Sequence, residues 1–121
     1  MIQIASYSAA DVFAAMNTRG KATLPDGRTF RKNSARLVLF KTKGTVCVRC
    51  GIKGTQFILE THDLTVTPHL NLYGMNVKGE LVLMTKDHIV PKSKGGLNAL
   101  ENYDPMCSPC NAKKGSKPNL D

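Results

Sequence analysis

The sequence predicts an α+β protein stapled by a metal ion. Three observations carry that prediction. Apolar residues recur at helical spacing near both ends of the chain, short β-prone runs broken by turn residues fill the middle, and two Cys-x-x-Cys pairs are separated by 56 residues. A chain of 121 residues suffices for one modest core, which a structural metal would supplement. Its texture changes near residue 45, from a basic extension at 1–44 (helix, hairpin, helix) to a cysteine-bearing core at 45–121.

Ser8-Ala9-Ala10-Asp11 opens the first expected helix. The Ser8 hydroxyl can accept from free first-turn amides, Asp11 sits favourably at the positive end, and Val12, Phe13, Ala15 and Met16 follow at helical spacing up to Gly20. Pro25-Asp26-Gly27 is a turn signal between two short strands, Ala22–Leu24 and Arg28–Phe30. Ser34 caps a second helix through about Lys43, with Leu37, Val38 and Phe40 inward and Gly44 as its stop. Cys47-Val48-Arg49-Cys50-Gly51 reads as a tight knuckle whose glycine can take positive φ. Strands are expected at Phe57–Glu60, His69–Tyr73 and, after the Lys78-Gly79 turn, Glu80–Thr85. A Lys/Ser/Gly loop over Pro91–Gly96 and a turn at Leu97–Asn102 follow. A last short helix is expected from Pro109 to Gly115 with Ser108 as cap, and then a frayed tail, Gly115–Asp121.

Charge is lopsided. Of the net +8, residues 1–46 carry +6, and a concentrated basic segment suits a polyanion because each paired phosphate releases counterions. Arg28, Arg31, Lys32 and Arg36, around the turn and second helix, are the expected backbone contacts. A plain solvated face is the alternative. No apolar run approaches the length of about 18 residues that a membrane helix needs. Met1-Ile2-Gln3-Ile4 lacks the charged-then-apolar pattern of a signal peptide, so a cytoplasmic setting with reduced cysteines is expected.

In such a setting the paired cysteines point to zinc. A two-residue gap lets both sulfurs of a knuckle reach one ion, and Cys47, Cys50, Cys107 and Cys110 complete a tetrahedron. With all four positions filled by protein, the ion would be structural. A redox dithiol would need one reactive pair on a βαβ unit, which the pattern does not supply. Asp87-His88 ends an apolar strand and precedes Gly95-Gly96, Asn102 and Asn111. Hydrolysis of a phosphodiester needs a base for water, a Lewis acid and fixed geometry. Successive residues at a strand end point opposite ways, so a carboxylate and an imidazole can serve two of these tasks at once.

The ordered set Asp87-His88-Ile89-Val90-Pro91, Gly95-Gly96, Asn102 and Cys107-Ser108-Pro109-Cys110-Asn111-Ala112-Lys113-Lys114-Gly115, with Cys47 and Cys50 upstream, resembles the HNH, or ββα-metal, endonucleases over roughly residues 45–115. The resemblance implies a ββα-metal core and a metal-dependent nuclease of DNA that leaves 5′-phosphate and 3′-hydroxyl ends. It implies His88 as general base, Asp87 as ligand of one divalent ion and Asn102 as a brace of the His88 loop. Asn111 takes the third position, where the family often has His. An Asn oxygen is the harder ligand and favours Mg²⁺ or Mn²⁺. Lys92 and Lys94 in the loop and Lys113 and Lys114 on the last helix are candidate phosphate contacts, solvated lysines being the alternative for the last pair. The rival from another class is a zinc-stabilised DNA-binding module without catalysis. A phage or mobile-element origin, and a monomer or homodimer, are the settings the resemblance suggests. His62 and His69 are expected at the surface, Glu60 as a solvated strand residue, and Tyr103 and Met106 packed near the knuckles.

Overall fold

The computed structural model describes residues 1–119. Ser8 Oγ accepts from the Asp11 amide at 3.1 Å, and the helix it starts, α1, spans Ala9–Met16. It stops at Asn17, short of Gly20, because the Asn17 amide turns back to the Ala14 carbonyl and the Thr18 hydroxyl caps Ala15. Ahead of it lies a strand that hydropathy hides, β1 at Ile2–Ser8; only Tyr7 in it is buried, so the alternation is faint. The hairpin pairs β2 (Ala22–Thr23) with β3 (Thr29–Phe30) across Pro25-Asp26-Gly27, as expected. Ser34 Oγ accepts from the Leu37 amide and starts α2, Ala35–Lys43, which ends at Gly44.

Strands β4 (Gly54–Thr61) and β5 (His69–Met75) occupy the expected runs and extend beyond them by a few residues, and β6 (Leu81–His88) starts one residue later than expected and runs three further. A further strand, β7 at Tyr103–Cys107, departs from expectation, since Pro105 lies inside it. Proline cannot donate to a ladder and is confined to outer strands, which is where β7 sits. The strands form one antiparallel sheet in the order β1-β4-β5-β6-β7, so the 1–44 segment contributes its first strand to the same sheet as the rest. Helix α3 covers Ser108–Lys114, one residue earlier than expected: Cys107 occupies the cap position, Pro109 lies in the first turn and Gly115 ends it. The order β6, loop, β7, α3 is therefore two antiparallel strands followed by a helix packed on both.

The core gathers Val12, Leu37, Leu39, Phe40, Phe57 and Met84 with the knuckle sulfurs, and Phe13 meets Phe57 edge-to-face at 5.7 Å. Tyr103 and Met106 are buried within it. Glu60 departs from expectation. It is 2% exposed on β4, accepts from Asn71 Nδ2 at 2.9 Å and from the Tyr73 hydroxyl, and Asn71 in turn accepts from Arg36. Burial and this carboxylate push the Tyr73 hydroxyl up to about 12. The tail is not frayed over 115–119: the Asn119 amide donates to the Ile89 carbonyl at 3.1 Å. Leu120 and Asp121, part of the same expectation, lie outside the described residues. Among the described residues no helix is long and apolar enough to cross a membrane.

Candidate active site and sulfur cluster

The first knuckle is built by a backbone turn. The Gly51 amide donates to the Cys47 carbonyl at 3.0 Å, which needs the φ of 80° that glycine adopts without strain. Cys47 N–H then bonds the Ile52 carbonyl, and Val48 N–H reaches the Pro105 carbonyl on β7, fastening this knuckle to the other. As a result the sulfurs of Cys47, Cys50, Cys107 and Cys110 all lie within 4.8 Å of one another, and Cys50 and Cys107 are 3.7 Å apart. A tetrahedron with metal–sulfur bonds of about 2.3 Å has edges of about 3.8 Å, so the spacing fits a four-thiolate ion. Burial alone would raise the Cys47 thiol, but backbone N–H groups from Cys107, Cys50 and Arg49 outweigh it and bring it down to about 6. Burial and the neighbouring sulfurs push Cys110 up to about 12. Four sulfurs this close cannot all be anionic unless a cation lies among them.

At the far end of β6, Asp87 points towards α3 and His88 towards Tyr103 and the loop that follows β6. His88 pairs with Tyr103 across β6–β7, its ring edge-on to Tyr103 at 5.1 Å, with Lys86 over the same tyrosine ring at 4.4 Å. His88 Nε2 lies 2.9 Å from Asn98 Oδ1. With that oxygen as acceptor, the proton sits on Nε2 and the Nδ1 lone pair is the basic one. Asn98 is a residue that sequence reasoning misses; the one signal for it is its place two residues after Gly95-Gly96.

The loop beneath is braced by Asn102. Its Oδ1 accepts from Val90 N–H at 2.9 Å, and its Nδ2 donates to the Val90 and Leu97 carbonyls at 3.1 and 2.9 Å. Gly96 closes the loop by lying flat against it: a Cβ there would stand 1.8 Å from the Val90 carbonyl oxygen, so no other residue fits.

Thr85 and Asp87 face α3. Asn111 Nδ2 donates to Thr85 Oγ1 at 2.9 Å, which leaves the Asn111 side-chain oxygen available as a ligand for a cation. Asp87 is 4% exposed, and its Oδ2 accepts from Lys114 Nζ at 2.6 Å and from Asn119 Nδ2 at 2.9 Å. Asn119 Nδ2 also reaches Asp104 Oδ2 at 3.2 Å, directly across the ladder from Asp87. Lys114 donates besides to the His88 carbonyl, tying α3 to the residue that follows Asp87.

Asp87, His88, Asn111, Lys92 and Lys114 thus line one open pocket of about 290 Å³, with Asn102 bracing the loop behind it. Lys114 is not the surface cation that its position near a helix end suggests. At 3% exposure it is a buried partner of Asp87, and nothing local sets it apart from Lys113 beside it, which is exposed as expected. Lys94 is exposed in the 3₁₀ turn Lys92–Lys94. Arg28, Arg31, Lys32 and Arg36 do not reach this pocket; they line a separate groove. Arg28 is paired with Asp26 at 2.5 Å, Lys32 donates to the Thr18 carbonyl, and Arg36 donates to Asn71 Oδ1 at 3.0 Å, with burial lowering its pKa.

The Lys114–Asp87 pair gives a direct test of this packing. Lys114→Met keeps the length of the side chain and strands the buried carboxylate, which typically costs about 3–5 kcal/mol. Urea unfolding is expected to show a stability lowered by that amount, seen as an earlier midpoint, and an unchanged midpoint would mean that Asp87 finds compensation elsewhere.

Among known proteins, residues 78–119 match the family model described as HNH endonuclease. The matched stretch takes in Asp87, His88, Asn102, Asn111 and the second cysteine pair, and it bears out over β6, β7 and α3 the resemblance read from the sequence. The first knuckle lies outside it. No curated protein and no solved structure matches the chain.

Proposed function

We propose, from the HNH endonuclease segment at residues 78–119, that this protein is a metal-dependent endonuclease hydrolysing DNA phosphodiester bonds on a ββα-metal core within residues 45–121, with residues 1–44 as a basic extension. One observation supports the reading above all: Asp87, His88 and Asn111, from a strand end and a following helix, line the same pocket. His88 takes a proton from the attacking water through Nδ1, its ring held by Asn98 and Tyr103. Asn102 keeps the loop that follows His88 in place. Lys92 in the pocket lining, and the exposed Lys94 and Lys113, are the lysines offered to phosphates.

The donor set fits a hard divalent ion. Asp87 retains its second oxygen and Asn111 its amide oxygen, and Mg²⁺ or Mn²⁺ is commonly held by one or two carboxylates with water and substrate phosphate supplying the rest. When bound, the ion supplies a Lewis acid for the phosphate and the leaving oxygen. The four cysteines fit Zn²⁺ as a structural ion with no open position.

The reading is tested on supercoiled plasmid. Relaxed or linear product is expected with Mg²⁺ or Mn²⁺ and none with the divalent ion left out. A protein with full zinc content that binds DNA but cuts nothing under any divalent ion would be the zinc-stabilised binding module instead.

A further inference from the structure

A larger concavity than the pocket at His88 adjoins it along β6. This groove, of about 1650 Å³, runs between the β2–β3 hairpin with the start of α2 on one side and the face of β1, β4, β5 and β6 on the other. It exceeds the roughly 300–1,000 Å³ of small-molecule pockets, which suits a polymer better than a metabolite. Six cations line it, Lys21, Arg28, Arg31, Lys32, Arg36 and Lys86, and none of its lining residues among those described is Asp or Glu. One of the six is neutralised: Arg28 is paired with Asp26, which lies outside the lining. The other five have no carboxylate partner among the described residues, and Lys86 lines the His88 pocket as well, so the two concavities adjoin at that residue.

The floor is of another character. Ile4 of β1, Leu59 of β4, Leu83 of β6 and Phe30 of the hairpin contribute apolar lining; all four are only half-buried, in a groove whose lining surface is mostly apolar. A duplex presents phosphates and sugars outward and has little with which to cover such a floor. An unpaired strand has both chemistries: phosphates for the cationic rim and unstacked bases for the apolar floor, which is how strand-binding grooves combine a charged track with a stacking platform.

We infer that this groove binds single-stranded nucleic acid and feeds an unpaired strand to the His88 pocket. The inference takes its polymer class from the nuclease reading, but binding does not require cleavage. The test uses the full-length zinc-containing protein without added divalent ion and a fluorescent oligothymidylate, followed by anisotropy. Binding is expected to be at least about tenfold tighter than to a duplex of equal length, the effect of roughly one stacked base. Equal or tighter duplex binding would overturn the inference, as would no binding of the strand. Arg31→Gln with Lys32→Gln is expected to flatten the slope of log K against log salt by about 0.7 for each phosphate no longer neutralised, and an unchanged slope counts against the groove. A photoreactive 5-bromouracil strand should cross-link at Phe30 or His69, and cross-links found only on other faces would also overturn it. A protein that binds the strand yet never cuts plasmid refutes the nuclease reading alone. One that cuts plasmid yet fails these binding tests refutes this inference alone.

Discussion

Replacing Cys47 with serine is expected to cost the protein its fold along with its metal. Cys47 is 2% exposed, its amide is tied to Ile52, and the amide of Val48 beside it is tied to β7, so its sulfur sits where the two knuckles meet. Structural zinc at such sites contributes about 10–16 kcal/mol of apparent binding free energy. A domain of this size has only about 5–15 kcal/mol of net stability. Losing a ligand therefore removes an amount comparable to the whole. Wild-type protein should carry one zinc per chain, and Cys47→Ser should show weakened or absent metal and no cooperative thermal transition near the wild-type midpoint. A metal-free Cys47→Ser protein that melts like the wild type would refute a structural ion at this cluster.

His88→Ala should behave in the opposite way, with the fold kept and plasmid cleavage abolished. Removing a general base typically costs about 10² to 10⁴ in rate. The structural penalty is modest, an edge-to-face contact with Tyr103 of roughly 0.5–1.5 kcal/mol and one exposed hydrogen bond to Asn98 of about the same size. Single-turnover cleavage at saturating Mn²⁺ separates this effect from weakened binding, and the melting temperature measures the rest. Cleavage within a factor of a few of wild type would move the base to another residue.

Much of this architecture is readable in the sequence because it rests on local chemistry. Ser8 and Ser34 capping, the Pro25-Asp26-Gly27 turn and the glycine of the first knuckle each depend on neighbours within four residues, and each forms where those neighbours predict it. What escapes depends on partners far along the chain. Strand β1 has little alternation because its pairing with β4, 48 to 59 residues further on, and not its own hydropathy, makes it a strand. Strand β7 is obscured by Pro105, which is tolerated only because no further strand pairs beyond it. At the candidate site the motif residues are legible as residue types. Their companions are not: Lys114 and Asn119 on Asp87, and Asn98 on His88, are identifiable only from where α3 and the loop fold back. Glu60 misleads for the same reason, since a carboxylate on a strand reads as solvated until Asn71 and Tyr73 close over it.

The position of the sulfur cluster also sets a time order. Its halves come from just before β4 and from the β7–α3 junction, so β4, β5, β6 and the His88 loop are all enclosed between them. During synthesis the first knuckle waits, as an isolated pair, until residue 110 is available. An ion can acquire its last two ligands only when the enclosed strands are already long enough to form the sheet. In the reverse direction an ion held by all four sulfurs would be released when the first knuckle parts from β7, a separation that breaks the Val48–Pro105 hydrogen bond and opens the buried Cys47 and Cys107. Release of such an ion would then be a clock for the parting of the first knuckle from β7. A chromogenic chelator that only traps freed ion would read the rate of that parting in plain buffer, with no denaturant present.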